Sequence, residues 1–73
     1  GYDQRAIEVL QALPQNDNTY YLLAILYVRE KRIKDAVEAF EKACQLEPSK
    51  WYRGQLDPEI NQIITDFKLN FEQ

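Results

Sequence analysis

Few side chains in this chain of 73 residues are of the types that carry out covalent chemistry. There is no histidine, so neither a Ser–His nor a Cys–His nucleophile pair can form. Cys44 is the single cysteine and Ser49 the single serine, and two glycines are too few for a phosphate-cradling loop. Asp57 and Glu59 are two nearby carboxylates, but capping of a predicted helix explains both. The sequence therefore predicts that the protein is not an enzyme; a metal or substrate bound near these carboxylates or Asp66 would favour the alternative of a small enzyme.

Composition and charge argue against several other classes of function. Nine basic and twelve acidic residues give a net charge of −3, whereas binding to nucleic acid requires clustered positive charge. The longest apolar run, Tyr20 to Val28, has nine residues, far short of the roughly 20 that span a bilayer. With one cysteine and no histidine, the chain also lacks the usual ligands of zinc. We therefore expect no cofactor, no metal, no nucleic acid and no membrane insertion.

The first half of the chain has the periodicity of two helices. Apolar residues recur at helical spacing over Asp3–Leu13, with Asp3 as the expected N-cap, and Pro14 ends this helix. A second helix is expected from residue 18 or 19 to Glu30. Because its core is apolar on every face, other elements must cover it on more than one side.

The second half predicts two further helices separated by an irregular stretch. The third helix, from residue 33 or 34 to Leu46, combines one apolar stripe with a charged opposite side. Ser49–Leu56 is the least regular segment, with Gly54 as an expected bend. The sequence Asp57-Pro58-Glu59 then supplies an N-cap, a proline at the first helical position and an acid in the first turn, which predicts the start of a last helix.

One ordered series of residues runs through the middle of the chain, with small side chains where two helices would touch. Its members are Tyr20, Leu23, Ala24, Tyr27, Ala36, Phe40, Ala43 and Pro48. The series resembles the tetratricopeptide repeat (TPR), a two-helix unit of about 34 residues with Trp-x-x-Leu-Gly-x-x-Tyr, Ala-x-x-x-Phe and a closing Pro. Here Tyr20 stands for the Trp and Ala24 for the Gly. Independently of the family, alanines beside bulky residues are typical of close helix crossings.

The resemblance implies an all-α fold of antiparallel helical hairpins, of the TPR-like α–α superhelix type with about four helices. Residues 1–73 would form a single domain, with 3–13 as the second helix of a partial repeat, 17–50 as a full repeat and 57–70 as a capping helix. The first helix of the first hairpin would then be missing, leaving one face of the second helix uncovered. We expect the isolated chain to form a homodimer through that face, or to be a piece of a longer protein that covers it.

In stacked repeats of this family, the first helix of each hairpin lines a concave groove. The matching positions in this chain, called the groove face below, are Asn18, Tyr21, Leu22, Ile25, Val28 and Arg29. The apolar residues among them do not support the carboxylate clamp that some relatives form with Lys and Asn. Two interpretations stay open: the groove face is an apolar peptide-binding groove, or it is a surface that the missing helix covers. Its apolar character favours the second interpretation.

Trp51 and Tyr52 are two further candidate contact residues. Together with Arg53 they belong to the residue types enriched at interface hot spots. The favoured alternative is that Trp51 wedges between the third helix and the capping helix. The resemblance thus predicts a non-catalytic protein–protein interaction scaffold whose partner is a protein or peptide. The alternative is a structural packing or oligomerisation domain whose apolar face is buried within its parent protein.

Overall fold

A computed structural model describes residues 2–69 of the chain, with side chains from Gln4 onward. This part of the chain forms five α-helices and no strand. The helices are α1 (Tyr2–Ala12), α2 (Asp17–Arg29), α3 (Ile33–Leu46), α4 (Ser49–Leu56) and α5 (Pro58–Asp66). The predicted all-α fold is confirmed, with one helix more than the expected four.

The first two helices begin earlier than their sequence patterns predict. α1 already includes Asp3, which is therefore not its N-cap. α2 is capped by Asn16, whose Oδ1 accepts a hydrogen bond from the backbone N–H of Thr19 at 2.9 Å. Three consecutive residues of the sequence, 16–18, are good N-caps, and the first of them takes the role because its backbone is extended.

A tight turn of the Schellman type joins α2 to α3. The N–H of Lys31 donates to the carbonyl of Val28 at 3.0 Å, and the N–H of Arg32 donates to the carbonyl of Tyr27 at 2.8 Å. These bonds satisfy carbonyls that the end of a helix leaves without partners. Lys31 has a φ of 61°, the left-handed conformation that glycine adopts most easily. The turn sends α3 back along α2, as a helical hairpin requires.

The expectation of an irregular stretch before the last helix is wrong, because Ser49–Leu56 forms α4. Gly54 is not a bend but a buried residue of that helix. A Cβ at this position would lie 2.6 Å from two ring carbons of Phe40 and 2.9 Å from Cγ2 of Ile60. Glycine is therefore required for the close approach of α4 to α3 and α5.

α5 begins as predicted and ends earlier than predicted. The Asp57 side chain accepts a hydrogen bond from the N–H of Glu59 at 3.0 Å, and Pro58 occupies the first helical position. The helix ends at Asp66, because Lys68 has a left-handed φ of 50° and the next N–H bonds back into the helix. Residues 67–69, predicted to be helical, therefore form a turn, and residue 70 lies outside the described residues.

α2 is the central helix, since it contacts α1, α3 and α5 and packs most extensively on α3. As predicted, Ala24 and Ala36 are fully buried, so two helix backbones can approach closely while Phe40 fills the space beside them. α4 packs on α3 and α5. The buried apolar side chains are Ile7, Tyr21, Leu23, Ala24, Tyr27, Ala36, Ala39, Phe40, Ala43, Cys44, Ile60 and Ile63.

Candidate partner-binding site

The groove face is only partly accessible. Tyr21 is buried, and Ile25 and Val28 are half-buried. Leu22 keeps 49% of its surface exposed, and Arg29 is exposed as well. Leu22 is therefore the apolar residue of this face that offers most surface to a partner.

α5 covers a large part of the groove face. The Arg29 guanidinium donates to both carboxylate oxygens of Glu59, from Nε to Oε2 and from Nη2 to Oε1, each at 3.0 Å. The Tyr21 hydroxyl donates to Oδ2 of Asp57 at a longer 3.5 Å. Ile60, next to Glu59, is fully buried. The expected bare face of α2 is thus restricted to the part that this helix does not cover.

Lys50 fixes α4 to the first turn of α2. Only 8% of this lysine is exposed, and its Nζ donates to Oδ1 of Asn18 at 2.7 Å and lies 3.6 Å from the Asp17 carboxylate. A buried ammonium requires partners of this kind. The role of Lys50 could not be predicted from the sequence, because nothing in the residues around it indicates burial; only the fold brings it to α2.

The electrostatics of the groove face centre on Tyr21. Burial raises the pKa of its hydroxyl to about 12, the negative charge of Asp57 adds to the rise, and Arg53 opposes it. The Arg53 guanidinium lies 5.4 Å from the centre of the Tyr21 ring, and Nζ of Lys50 lies 5.7 Å from it. The phenol therefore stays neutral at physiological pH and acts as a hydrogen-bond donor that holds α5 in place.

The two aromatic candidates on α4 have different environments. Trp51 is half-buried, and its ring centroid lies 6.0 Å from that of Phe40 on α3. This contact places Trp51 against α3; its expected position between the third helix and the capping helix stays a prediction. Tyr52 is 65% exposed, and Leu56, one turn later on the same side of α4, is 86% exposed. Of the pair, Tyr52 is the accessible side chain.

A cleft of about 210 Å³ lies between α1 and α3, with α2 beneath it. Tyr20 and Tyr27 line it from α2, Gln11 from α1, and Glu38 and Lys42 from α3. Gln11 donates from Nε2 to the Tyr27 hydroxyl at 2.8 Å. The two tyrosines belong to the repeat series, but the cleft could not be predicted from the sequence, because it forms only where three helices meet.

The described residues offer few other side chains that could react or bind a metal. Cys44 is buried, and burial raises the pKa of its thiol to about 11, so it stays protonated and acts as a small core residue. Among the residues with described positions, no group of three or more His, Cys, Asp or Glu side chains could hold a metal ion. In the same part of the chain, no helix is both long enough and apolar enough to cross a membrane.

The α2–α3 hairpin, with further helices packed against both of its members, defines the class of helical-repeat proteins. Comparison with protein families identifies the particular repeat, since residues 18–50 match the family model described as tetratricopeptide repeat. The hairpin is a TPR, and the resemblance found in the sequence is confirmed. No curated protein and no solved structure matches the chain. A repeat of this family indicates a protein–protein interaction module.

Proposed function

We propose that this chain is a non-catalytic scaffold that binds a protein or peptide through α2. The observation that carries the proposal is a stripe of Leu22, Ile25 and Arg29, called the α2 stripe below. Its residues follow one another at intervals of three and four along a helix whose other side is packed. Leu22 is 49% exposed, Ile25 is half-buried and Arg29 is exposed.

Rigidity supports this role for the α2 stripe. α2 is held by α1, α3 and α5 together, so a partner meets side chains whose positions are already fixed. Binding to an ordered surface avoids part of the entropic cost of association. Under this proposal, Tyr21 and Val28 support the stripe from behind, while Tyr52 would make a second contact and Trp51 would anchor α4.

The proposal is tested by selecting ligands from a random-peptide display library on the immobilised 73-residue chain. We expect selected peptides to bind the wild-type chain and the variant Leu46→Glu, and to lose binding to Leu22→Glu. Leu46 is the matched control because it is 58% exposed and lies at the end of α3, outside the proposed contacts. Failure to select any peptide, or equal loss of binding in both variants, would refute a partner site at the α2 stripe.

A packing or oligomerisation domain is the second candidate, and exposed apolar residues on α1 and directly after it favour it. Val9 is 57% exposed and Leu13, which follows the last residue of α1, is 48% exposed. Val9 lies about 200° around the helix from the buried Ile7, so it turns away from α2. Such residues would be covered in a homodimer or within a parent protein.

Sedimentation velocity separates the two candidates. A scaffold that binds partners transiently should sediment as a monomer, whereas a packing domain should form a stable dimer. The double variant Val9→Glu, Leu13→Glu should abolish that dimer, and Leu46→Glu serves as the control, since this leucine is 58% exposed and lies on α3. A dimer that both changes leave intact would show that α1 is not the interface.

A further inference from the structure

We propose that the cleft between α1 and α3 binds the side chain of an arginine that a protein partner supplies. This site is separate from the α2 stripe. Tyr20, which lines the cleft, lies two residues before Leu22 and therefore about 200° around the helix from it.

The size of the cleft fits one long side chain. Its volume of about 210 Å³ is below the roughly 300–1,000 Å³ typical of pockets that hold drug-sized ligands or cofactors. Aromatic rings lie at its base, while glutamine, glutamate and lysine side chains line its walls. A long side chain with a planar, multiply donating end group matches such a space better than an apolar one.

The chain itself shows how a guanidinium is held beside this cleft. Arg32 lies over the ring of Tyr27, with its guanidinium carbon 4.7 Å from the ring centre. Its Nε also donates to Oδ2 of Asp35 at 2.9 Å. An aromatic ring and a carboxylate together thus bind an arginine, through a cation–π contact and a charge-assisted hydrogen bond.

A second pair of the same kind lies along the cleft. Tyr20 supplies the ring and Glu38 the carboxylate, and both line the cleft. Glu38 makes no hydrogen bond or ion pair with any residue that the structure describes. Nζ of Lys42 lies 5.5 Å from the centre of the Tyr20 ring.

Lys42 would compete only weakly with an incoming guanidinium for the face of the Tyr20 ring. It is exposed, and within the described part of the chain it forms no ion pair that would hold it over the ring. A guanidinium from a partner would displace it, because the planar group both stacks on the ring and donates two hydrogen bonds to Glu38. Asp35 is already paired with Arg32, so Glu38 is the carboxylate of the lining that remains for an incoming cation, and the net charge of −3 on the whole chain favours a basic partner.

The test is an NMR titration of the 73-residue chain with the blocked tripeptide acetyl-Gly-Arg-Gly-amide. We expect saturable shifts of the Tyr20 and Ala39 amide signals, and none with the peptide that carries citrulline, the uncharged isostere of arginine. Glu38→Gln should weaken binding about fivefold, the upper end of what exposed ion pairs contribute. Lys42→Gln should strengthen it several-fold, because the competing cation is removed.

Two matched variants control for net charge. Glu41→Gln and Lys34→Gln make the same charge changes on exposed positions of α3 that do not line the cleft. They should leave binding within about twofold of the wild type, since neither side chain lines the cleft. Equal effects of Glu38→Gln and Glu41→Gln, shifts with the citrulline peptide, or no saturable shift at all would overturn the proposal. Leu22→Glu should not change arginine binding, so a failure here is distinguishable from a failure of the α2 stripe.

Discussion

Replacement of Gly54 by alanine adds one methyl group where α4 meets both α3 and α5. Its carbon would lie 2.6 Å from Cε1 and Cζ of Phe40 and 2.9 Å from Cγ2 of Ile60. Phe40 and Ile60 are 1% and 0% exposed, so neither side chain can move into solvent. Either α4 must shift or the core must distort, and we expect Gly54→Ala to destabilise the protein.

Two opposing effects determine how much Gly54→Ala lowers the free energy of unfolding. Alanine is favoured over glycine within a helix by about 0.8–1.0 kcal/mol. Adding a methyl group to a packed core costs about 1–3 kcal/mol. The closest contacts fall roughly 0.8 Å short of the 3.4 Å at which ordinary contacts begin, which favours the upper end of that range. The free energy of unfolding should therefore fall by about 2 kcal/mol, and Tm by about 8–16 °C for a chain of this size.

The assay is urea unfolding followed by far-ultraviolet circular dichroism. Gln55→Ala is the control, because this neighbour is exposed and its change should stay within about 0.5 kcal/mol. In the Gly54→Ala background, Phe40→Leu should cost less than it does alone, because the smaller side chain relieves the contact. If Gly54→Ala proved as stable as the wild type or more stable, helix propensity would outweigh the contact and the packing argument would fail.

Three further predictions concern stability. Phe40→Ala should lower the free energy of unfolding by about 3–5 kcal/mol through cavity formation, and wild-type melting would contradict its core role. The folded-state pKa of Tyr21 is about 12 against 10.0 for an unperturbed tyrosine. This contribution of Tyr21 to stability should be complete below pH 10 and lost as the pH rises through 12. Allowing for solvent screening, the loss should be about 1 kcal/mol, and alkaline melts of Tyr21→Phe should lack it. Lys31→Gly should stabilise the protein by about 1 kcal/mol by relieving its left-handed φ of 61°, whereas Glu30→Gly, at a φ of −88°, should destabilise it in the same urea assay.

The repeat core was predictable from the sequence because its signals are local. Ala24, Ala36 and Phe40 recur at helical spacing, and all three are buried as expected. The start of α5 was equally readable, since Asp57 and Pro58 cap a helix through bonds within a few residues. The assignments of residues 3–13 to a partial repeat and of the last helix to a cap remain predictions.

The segment after the repeat was not predictable by the same reasoning. Gly54 inside a short helix indicates a bend when only its neighbours are considered, and its reason for being glycine lies in Phe40, fourteen positions earlier. The burial of Lys50 likewise depends on Asn18 and Asp17, more than thirty positions away. How much of the groove face is accessible depends on its contacts with α5, which are equally distant in sequence. The residues of the face could be predicted from the sequence, but their exposure to solvent could not.

α4 and α5 together brace α2 at both of its ends. Lys50 binds the first turn through Asn18, and Glu59 binds Arg29 at the last residue of the helix. Both contacts are polar, but Ile60 on α5 is fully buried. Moving α5 away from α2 would expose this side chain to water, which costs free energy, so α5 is part of the core. The groove face is therefore not wholly accessible. Under the two proposals above, a partner would contact the strip around Leu22 that α5 leaves exposed or, on the far side of the helix, the cleft beside Tyr20.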